Sequence, residues 1–503
     1  MMKILDCTLR DGGYYTHWDF NKELVRLYLE TMAQMPVDYI ELGYRSIPQE
    51  AYEGEYCYLP IDTLRFCKSY SKDKKLSVMV NSKDVDDKTI VDLLNPCCGY
   101  IDMVRIAARP TELTKVRCLA RVTKKMGFAV CINIMYMSTW KQINGFYNEL
   151  SQLDDAVDYI CMVDSYGSVL PDEIPAIIEK VHQHTSIPLC FHGHQNMELA
   201  FANTLKAIDC GCQIVDSTIT GMGRGAGNLK TELLLTYLSS KGQEVPFHLL
   251  NMLVDEFEEL RNKYGWGVNI PYMISGAYSL PQKDIMEWMS RRRYSVTSIV
   301  QTLQNRTLGN KALQFESLET SPEKCCLVIG GGDSVAVHLE AIQSFILKNK
   351  DSINIIFSST KHLSLFDFIP SNIQRYICLV GSEGRRLQKY DVHTRENDIY
   401  VVNSIACQMD TYVPPFAMKN TRQLPLHIST SEYPDSPLFI SLSIATGKEI
   451  NLVGFDGYVN IDEDAYNLMH ENQMILDNHI GNVKSLLPTR YNNLKVESIY
   501  TMI

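Results

Sequence analysis

The sequence has no long hydrophobic run and no excess of basic residues. No apolar stretch in its 503 residues approaches the roughly 18 residues of a membrane-spanning helix, and residues 1–7 lack the apolar core of a signal peptide. The 48 Lys and Arg residues stand against 59 Asp and Glu, a net charge of −11, and no basic run is long enough for a nucleic-acid interface. These absences predict a cytoplasmic protein that binds neither membranes nor nucleic acid.

Cysteine is abundant, but the spacing of a zinc site is absent. The 15 cysteines are an odd number, and several, such as Cys131, Cys161 and Cys190, lie inside apolar runs. Adjacent or near-adjacent pairs occur at 97–98, 210/212 and 325–326 without the ligand spacing of a zinc motif. We therefore expect buried, reduced thiols in a reducing compartment.

Apolar runs alternate with helical stretches over the first half of the chain. Alternation of this kind predicts parallel βαβ units, and eight such units close into a (β/α)₈ barrel. An open doubly wound sheet gives similar local patterns, but the count of eight favours the barrel. The predicted strands are residues 3–9, 37–43, 76–81, 100–107, 128–136, 159–164, 188–194 and 213–219.

Polar residues recur towards the ends of these strands. His192 and His194 are alternate residues of the seventh strand and so face the same way, which makes them a plausible half of a metal site. Because the active site of such a barrel lies at the carboxyl ends of its strands, we expect the polar residues to converge there. The others are Arg10, Asp11, Glu41, Arg105, Asn133, Asp164 and the glycine-rich loop 221–228.

Three separated motifs resemble one family. Residues 7–12 (Cys-Thr-Leu-Arg-Asp-Gly), residues 192–194 (His-Gly-His) and the loop 221–228 are similar to the metal-dependent pyruvate-aldolase and acyl-CoA lyase barrels, the DRE-TIM metallolyases. The resemblance covers about residues 1–290. The later segment 264–272 is similar to the 4-hydroxy-2-oxovalerate aldolase branch.

The resemblance implies a metal site and a reaction. Asp11, His192 and His194 would bind one divalent cation, Mn²⁺ or Mg²⁺, with Asn228 adding a side-chain oxygen. A 2-oxo acid such as pyruvate would chelate the metal, which as a Lewis acid stabilises the enolate formed on carbon–carbon cleavage or condensation. Arg10 would add positive charge beside the enolate oxygen.

Other roles remain open for several of these residues. Glu41 matches a family glutamate, yet a salt bridge inside the barrel explains it nearly as well. Arg105, Asn133 and Asp164 would bind substrate, or Arg105 and Asp164 could pair at the barrel floor. Asn228 could simply brace its own loop.

The sequence departs from the aldolase branch at two positions. The acid/base histidine that follows the Arg-Asp-Gly motif is replaced by Tyr14, and His17 lies three residues further on. Tyrosine has an unperturbed pKa near ~10, so Tyr14 could orient or protonate substrate but is a poorer base than histidine. The family's Asn-Asn-Leu-Gly after the histidines ends here in Glu198 instead of glycine.

A second domain follows the predicted barrel. We assign residues 1–245 to the barrel, 246–316 to a helical extension that could form a dimer surface, 317–324 to a linker and 325–503 to a Rossmann-like α/β domain. Its predicted strands are residues 326–329, 353–357, 376–380 and 450–453.

A glycine-rich turn follows the first strand of this second domain. The turn lacks the full Gly-x-Gly-x-x-Gly pattern, so a tight structural turn explains it about as well as a nucleotide site. Together with two later segments, 454–457 and 487–491, it faintly resembles pterin diphosphokinase-like and sialyltransferase-like domains. That resemblance would place Gly331, Ser334 and Asp456 near a nucleotide or nucleotide-sugar.

The leading hypothesis is a divalent-metal-dependent aldolase that acts on a 2-oxo acid and an aldehyde. One alternative is a Claisen-type acyl-CoA condensing enzyme such as an isopropylmalate synthase. A second is a bifunctional protein whose C-terminal domain is a nucleotide- or nucleotide-sugar-binding transferase. A third is a module whose tail docks a partner such as an aldehyde dehydrogenase.

Overall fold

The computed structural model describes most of the chain. The described residues are 2–153, 156–290, 296–309, 314–318, 325–381, 383–390, 393–403, 411–425, 433, 435–445, 449–458, 463–478 and 482–503. The chain divides into two compact units, Met1–Ile285 and Met286–Ile503. No helix in these ranges is both long enough and apolar enough to cross a membrane.

The first unit contains a closed barrel of eight parallel strands, as the sequence predicts. Each strand pairs with the next along the chain, and β8 closes the ring by pairing with β1. The strands are β1 Lys3–Asp6, β2 Tyr39–Tyr44, β3 Lys75–Asn81, β4 Met103–Ala108, β5 Ala129–Ile134, β6 Tyr159–Asp164, β7 Leu189–Gly193 and β8 Ile214–Ser217.

Helices follow the strands and bury the outer face of the barrel. The helices of the barrel are α1 Thr8–Thr16, α2 Lys22–Met32, α3 Glu55–Tyr58, α4 Ile61–Tyr70, α5 Asp87–Leu94, α6 Leu113–Lys125, α7 Phe146–Leu150, α8 Glu173–His182, α9 Ala200–Asp209 and α10 Thr231–Ser240. Four more follow: α11 Phe247–Tyr264, α12 Ile270–Ala277, α13 Gln282–Ser290 and α14 Val296–Thr307.

The strand residues that do not pack against the helices form two layers. Met103, Cys131, Cys190 and Ile214 belong to a small buried apolar cluster that is separate from the larger core under the helices. Side chains on a strand alternate between faces, so the residues two positions further on share this side. Those residues are Arg105, Asn133, His192 and Asp216. An apolar layer therefore lies beneath a polar layer, and the polar layer is nearer the carboxyl ends of the strands.

The first strand is shorter than predicted. The sequence predicts strand from residue 3 to residue 9, but β1 ends at Asp6, and Arg10 and Asp11 lie in α1. The buried Asp6 carboxylate accepts hydrogen bonds from the Thr8 backbone N–H at 2.9 Å and the Thr8 hydroxyl at 2.5 Å. These bonds turn the chain just past the strand, because a short polar side chain competes with sheet pairing.

The sequence predicts a helical extension of the barrel over residues 246–316, and α11 begins at Phe247. The division between the two units falls at residue 285, inside α13. The Trp266 indole donates to the Thr220 carbonyl at 3.3 Å, and the Gln282 amide donates to the Asn196 side-chain oxygen at 2.8 Å. Residues up to 285 therefore complete the barrel unit.

The second unit contains a nine-stranded parallel sheet, in agreement with the predicted α/β domain. The strand order is β17-β16-β15-β10-β11-β12-β13-β14-β9. Its strands are β9 Glu316–Ser317, β10 Cys325–Ile329, β11 Ile353–Phe357, β12 Arg375–Cys378, β13 Ile399–Val402, β14 Thr421–Gln423, β15 Ile450–Val453, β16 Val483–Ser485 and β17 Lys495–Val496. Its helices are α15 Ser334–Val337, α16 Leu339–Lys348, α17 Glu383–Gln388, α18 Pro437–Ile444 and α19 Glu463–Asp477.

Both faces of this sheet are buried. On β10, Leu327 and Ile329 belong to one apolar cluster, whereas Cys326 and Val328 belong to another. This arrangement is typical of a parallel sheet with helices on both sides. The chain runs from β10 outward in one direction and then returns to β15 on the other side of β10, so the loops after β10 and β15 meet at a topological switch point.

The predicted linker begins inside the sheet. Residues 316 and 317, assigned from the sequence to the end of the helical extension and the start of the linker, form the edge strand β9 and pair with β14. The remainder of the predicted linker, residues 319–324, lies outside the described residues.

Candidate metal centre

Three of the four predicted metal ligands converge above the polar layer of the barrel. Asp11 lies in α1, His192 lies near the end of β7, and His194 follows the last residue of that strand. One ligand atom of each residue lies within 4.8 Å of those of the other two. The imidazole rings meet edge to face with centroids 4.9 Å apart. Asp11 and His192 are buried, and His194 is partly buried.

Both histidines make their hydrogen bonds through Nδ1, and Nε2 of His192 lies 3.5 Å from Asp11 Oδ2. Nδ1 of His192 lies 2.8 Å from the Asp216 carboxylate, and Nδ1 of His194 lies 2.8 Å from the Asp164 carbonyl oxygen. Both partners are acceptors, so a neutral ring at either position would carry its proton on Nδ1 and direct a lone pair from Nε2. Metal-ligating histidines in proteins typically have such a partner, which fixes the tautomer and the ring orientation.

Asn228 lies beside this cluster. Its amide nitrogen donates to Asp11 Oδ2 at 2.5 Å, and its Oδ1 is buried without a hydrogen-bond partner among the described residues. Gly223 makes room for this side chain, because a Cβ at that position would lie 2.3 Å from the Asn228 amide nitrogen. An orphaned amide oxygen next to a carboxylate and two imidazoles is a suitable oxygen ligand for a divalent cation.

A buried ion network lies under the cluster. Arg10 bonds Asp11 at 2.6 Å and Glu41 at 2.8 Å, and Arg105 bonds Glu41 at 3.2 Å and Asp216 at 2.5 Å. All five side chains are at least 90% buried. Three carboxylates against two guanidinium groups leave one excess negative charge, and a bound cation would compensate it.

The pKa shifts of Asp11, Asp216 and His194 suit metal binding. Burial raises the pKa of Asp11, but the neighbouring Arg10 guanidinium acts in the opposite direction, as does the hydrogen bond from Asn228, and the pKa lies below its usual value. For Asp216, Arg105 and His192 outweigh burial and lower the pKa to about 2. Burial, and then the neighbouring His192, lowers the pKa of His194 to about 4. Ionised carboxylates and neutral imidazoles are the forms that ligate metals.

A cavity of about 580 Å³ opens over these residues. Of the residues predicted to form the site, it is lined by Arg10, Asp11, Tyr14, Asn133, His192 and His194. A volume of this size lies within the range of about 300–1,000 Å³ that small-molecule sites occupy.

Arg105, predicted to bind substrate, and Glu41, which matches a family glutamate, both bond to other residues inside the barrel. Arg105 is 1% exposed, lies beneath the cavity lining, and bonds Glu41, Asn133 and Asp216. The suggested pair between Arg105 and Asp164 does not form. Glu41 is enclosed by Arg10 and Arg105, which is the barrel-interior salt bridge that the sequence also allows.

Asp164 shapes the loop after β6. Its carboxylate accepts from the backbone N–H groups of Ser168 at 3.1 Å and Val169 at 3.2 Å. Burial raises its pKa to about 7, although these backbone hydrogen bonds act in the opposite direction. Its carbonyl orients His194, so Asp164 acts on the site through the backbone rather than by lining the cavity.

The two candidate acid/base residues are separated. Tyr14 lines the cavity, with its hydroxyl 3.0 Å from the Tyr44 hydroxyl and its ring 5.2 Å from the Arg224 guanidinium. His17 ends α1 in the left-handed conformation, and its 71%-exposed side chain lies 3.5 Å from Glu53. His17 does not line the cavity. It is the residue that follows the end of α1, the helix that contains Tyr14.

Sequence reasoning missed several residues of the site. Asp216, which orients His192, is a carboxylate inside an apolar strand, and this is the same pattern that singled out Arg105. Tyr44 and Tyr166 line the cavity without a distinctive sequence pattern. Arg224 lies in the glycine-rich loop and also lines the cavity.

The glycine-rich turn of the second unit lies at the topological switch point. The Ser334 backbone N–H donates to Asp456 Oδ2 at 2.9 Å, and the Ser334 hydroxyl donates to the same carboxylate. Lys361 bonds the Gly331 carbonyl at 3.0 Å and the Asp333 carboxylate at 2.8 Å. Gly331, Ser334 and Asp456 thus lie close together. The Ser334 backbone N–H, which could otherwise donate to a phosphate, already donates to Asp456. Nucleotide binding here stays a prediction.

The first 254 residues match the HMGL-like family model. The chain belongs to the HMGL-like family. It is 27% identical to an oxaloacetate decarboxylase of Mycobacterium tuberculosis, over 48% of this chain and 70% of that protein. It is also 27% identical to a 4-hydroxy-2-oxovalerate aldolase of Bacillus cereus, over 50% of this chain and 74% of that protein.

A solved structure extends the comparison. It is the crystal structure of the N-terminal domain of a candidate aldolase from Bacteroides vulgatus, with a TM-score of 0.57 and 46% sequence identity. The match covers 60% of this chain and 99% of that one. Family membership and these relatives identify a lyase- or aldolase-type enzyme of a divalent-metal-dependent family.

Proposed function

We propose that the protein is a divalent-metal-dependent carbon–carbon lyase that cleaves, or in reverse forms, a 4-hydroxy-2-oxo acid by way of a pyruvate enolate. The observation that carries this proposal is the cluster of Asp11, His192 and His194 that lines the cavity, with both imidazole rings held through Nδ1. A divalent cation on these residues, with Asn228 completing the set, would act as a Lewis acid towards a 2-oxo acid.

Arg10 supplies fixed positive charge at the same place. Its guanidinium lines the cavity while bonding Asp11 and Glu41. Burial opposes the charged form, but the two carboxylates outweigh it and raise the pKa of Arg10 well above its usual value. A permanent cation held by two partners needs little reorganisation when charge develops on the enolate oxygen, and such preorganised electrostatic stabilisation is often the largest contribution to catalysis.

Tyr14 is the candidate proton-transfer group. Aldol cleavage requires removal of the proton from the 4-hydroxyl group as the carbon–carbon bond breaks. The Tyr14 hydroxyl lines the cavity and shares a 3.0 Å hydrogen bond with Tyr44, which lines it too. Tyr14, oriented by Tyr44, would take this proton in cleavage and return it in the reverse reaction, in the manner of general acid–base catalysis.

Decarboxylation of oxaloacetate is a second candidate. One of the relatives carries that name, and the reaction yields the same pyruvate enolate. It requires no base for a substrate hydroxyl, which agrees with a tyrosine rather than an imidazole at position 14. The metal cluster and Arg10 would act in the same way in both reactions.

Pyruvate release tests both candidates. The full chain is stripped of metal and assayed with Mn²⁺, Mg²⁺ or EDTA against a panel of 4-hydroxy-2-oxo acids and against oxaloacetate, with protein-free metal blanks. We expect metal-dependent pyruvate release that His192→Ala abolishes and that His182→Ala, at an exposed position on α8, retains. If no substrate of the panel yields pyruvate above the blanks, the proposed reaction is refuted.

The other predicted partners need separate experiments. The 2-oxo acid and the aldehyde are part of the proposal. Acetyl-CoA consumption with a 2-oxo acid would favour the acyl-CoA condensing alternative. A homodimer and an aldehyde-processing partner enzyme stay predictions, which light scattering and co-purification can test.

A further inference from the structure

The cavity is larger than a three-carbon oxo acid requires. The metal cluster occupies its base, within a volume of about 580 Å³. Four further cationic side chains line it: Lys83, Arg109, Arg224 and Lys283. Lys83, Arg109 and Lys283 are exposed, and Arg224 is partly buried. These residues therefore lie towards the mouth, where the part of a substrate that does not become pyruvate would extend.

Lys83 and Arg109 form an adjacent pair. In the register of the barrel Asn81 on β3 pairs with Ala107 on β4. Lys83 and Arg109 each lie two residues beyond that pair, at the carboxyl ends of neighbouring strands. Two cations at adjacent strand ends repel each other unless an anion lies between or above them.

No carboxylate of the described chain neutralises this pair. Among the residues that the structure describes, neither Lys83 nor Arg109 forms an ion pair. Glu112 is the acidic residue of the cavity lining apart from Asp11, and it accepts a hydrogen bond from Ser82 at 3.3 Å. One carboxylate thus faces four cations at the mouth, although the whole chain carries a net charge of −11.

We infer that the part of the substrate that leaves as the aldehyde carries an anionic group, a carboxylate or a phosphate, and that Lys83 and Arg109 bind it. This inference rests on the proposed lyase reaction. Arginine binds either group through parallel N–H donors, and lysine adds a point charge. A positive mouth on an acidic protein also attracts an anionic substrate towards the cavity.

Matched substrates test this inference. Three 4-hydroxy-2-oxo acids of equal chain length end in a phosphate, a carboxylate or a neutral hydroxyl group, and kcat/KM is measured for each by pyruvate release. We expect the wild-type enzyme to prefer at least one anionic substrate over the neutral one by about 10- to 100-fold. Comparison of kcat/KM between the two anionic substrates shows whether the site prefers a phosphate or a carboxylate.

The double variant Lys83→Gln/Arg109→Gln should reduce that preference to within about threefold of unity. The control Lys88→Gln/Lys115→Gln removes the same charge from exposed positions on α5 and α6 and should retain the preference. An enzyme that releases pyruvate with no preference for anionic substrates, or a preference that survives in the Lys83/Arg109 variant, overturns the inference and leaves the lyase reaction intact.

A binding measurement separates this inference from the reaction itself. Glycerol 3-phosphate and glycerol serve as unreactive probes, titrated calorimetrically into the wild-type enzyme and both double variants. If no substrate is cleaved but glycerol 3-phosphate binds to wild type and not to the Lys83/Arg109 variant, the anion site stands and the lyase reaction fails. If neither cleavage nor phosphate-dependent binding occurs, both are refuted.

Discussion

Replacing Asp216 by asparagine should weaken metal binding without removing any metal ligand. Asp216 Oδ2 accepts from His192 Nδ1 at 2.8 Å and from Arg105 at 2.5 Å, and the side chain is 1% exposed. Asparagine preserves the size of the side chain but removes its charge. An amide oxygen polarises the imidazole less than a carboxylate does, and the amide nitrogen cannot accept from either partner.

The expected magnitude follows from this geometry. Outer partners of metal-ligating histidines typically contribute 10- to 100-fold to affinity, which corresponds to about 1.4–2.7 kcal/mol. We expect the dissociation constant for Mn²⁺ to rise by that factor in Asp216→Asn. Arg105 keeps Glu41 as a carboxylate partner in the variant, so the fold should survive with a moderate loss of thermal stability.

The assay is competition for Mn²⁺ between the full chain and a fluorescent chelator, with thermal melting in EDTA as a check on folding. The control Asp172→Asn makes the same charge change at an exposed position before α8 and should leave the affinity unchanged. A folded Asp216→Asn protein that binds Mn²⁺ within twofold of wild type would refute the argument that this carboxylate tunes His192.

Three further outcomes are expected. Tyr14→Phe should lower aldol cleavage by about 100-fold or more, because general acid–base groups contribute about 10²–10⁴-fold, and should spare oxaloacetate decarboxylation; equal losses of both activities would argue against proton transfer by Tyr14. Glu198→Gly should raise the free energy of unfolding by about 1 kcal/mol in chemical denaturation, because Glu198 has a φ of 57° in the left-handed region that disfavours side chains. Asp398→Asn should destabilise the second unit by about 3–5 kcal/mol, because Asp398 holds the fully buried Arg375 through two hydrogen bonds of 2.7 and 2.6 Å; an unchanged urea midpoint would contradict this.

The barrel and its metal cluster were predictable because their patterns are regular. Eight apolar runs, each separated from the next by a helical stretch, indicate the closed sheet. Two histidines at alternate positions of a strand must share a face. Charged residues inside apolar strands indicated a polar layer. The same reasoning would have found Asp216 had it been applied to the eighth strand.

The errors arise where local hydrogen bonds decide the structure. The end of β1 depends on the Asp6 carboxylate bonding Thr8, and no hydrophobic pattern reports such a bond. His17 follows Tyr14 by only three positions, yet α1 ends between them, so that Tyr14 lines the cavity and His17 is exposed. Hydrophobic periodicity does not predict which of these two side chains points into the cavity.

In the second unit the sequence predicts the central strands and misses the peripheral ones. β10, β11 and β15, at the centre of the sheet, are fully or mostly apolar. Strands such as β14 (Thr421–Gln423) and β17 (Lys495–Val496) are two or three residues long and largely polar. A strand near the edge of a sheet buries little surface, so its sequence carries little pattern.

The position of β9 decides where the chain can be cut. A fragment that begins at residue 325, the boundary that composition suggests, would lack Glu316–Ser317 and the 3.2 Å hydrogen bond from the Phe315 backbone to Gln423. Its β14 would then present an uncovered row of N–H and C=O groups, a template for strand addition between molecules. A soluble fragment of the second unit must therefore begin before Phe315, even though Phe315 and its partner Gln423 in β14 are 108 positions apart in the sequence.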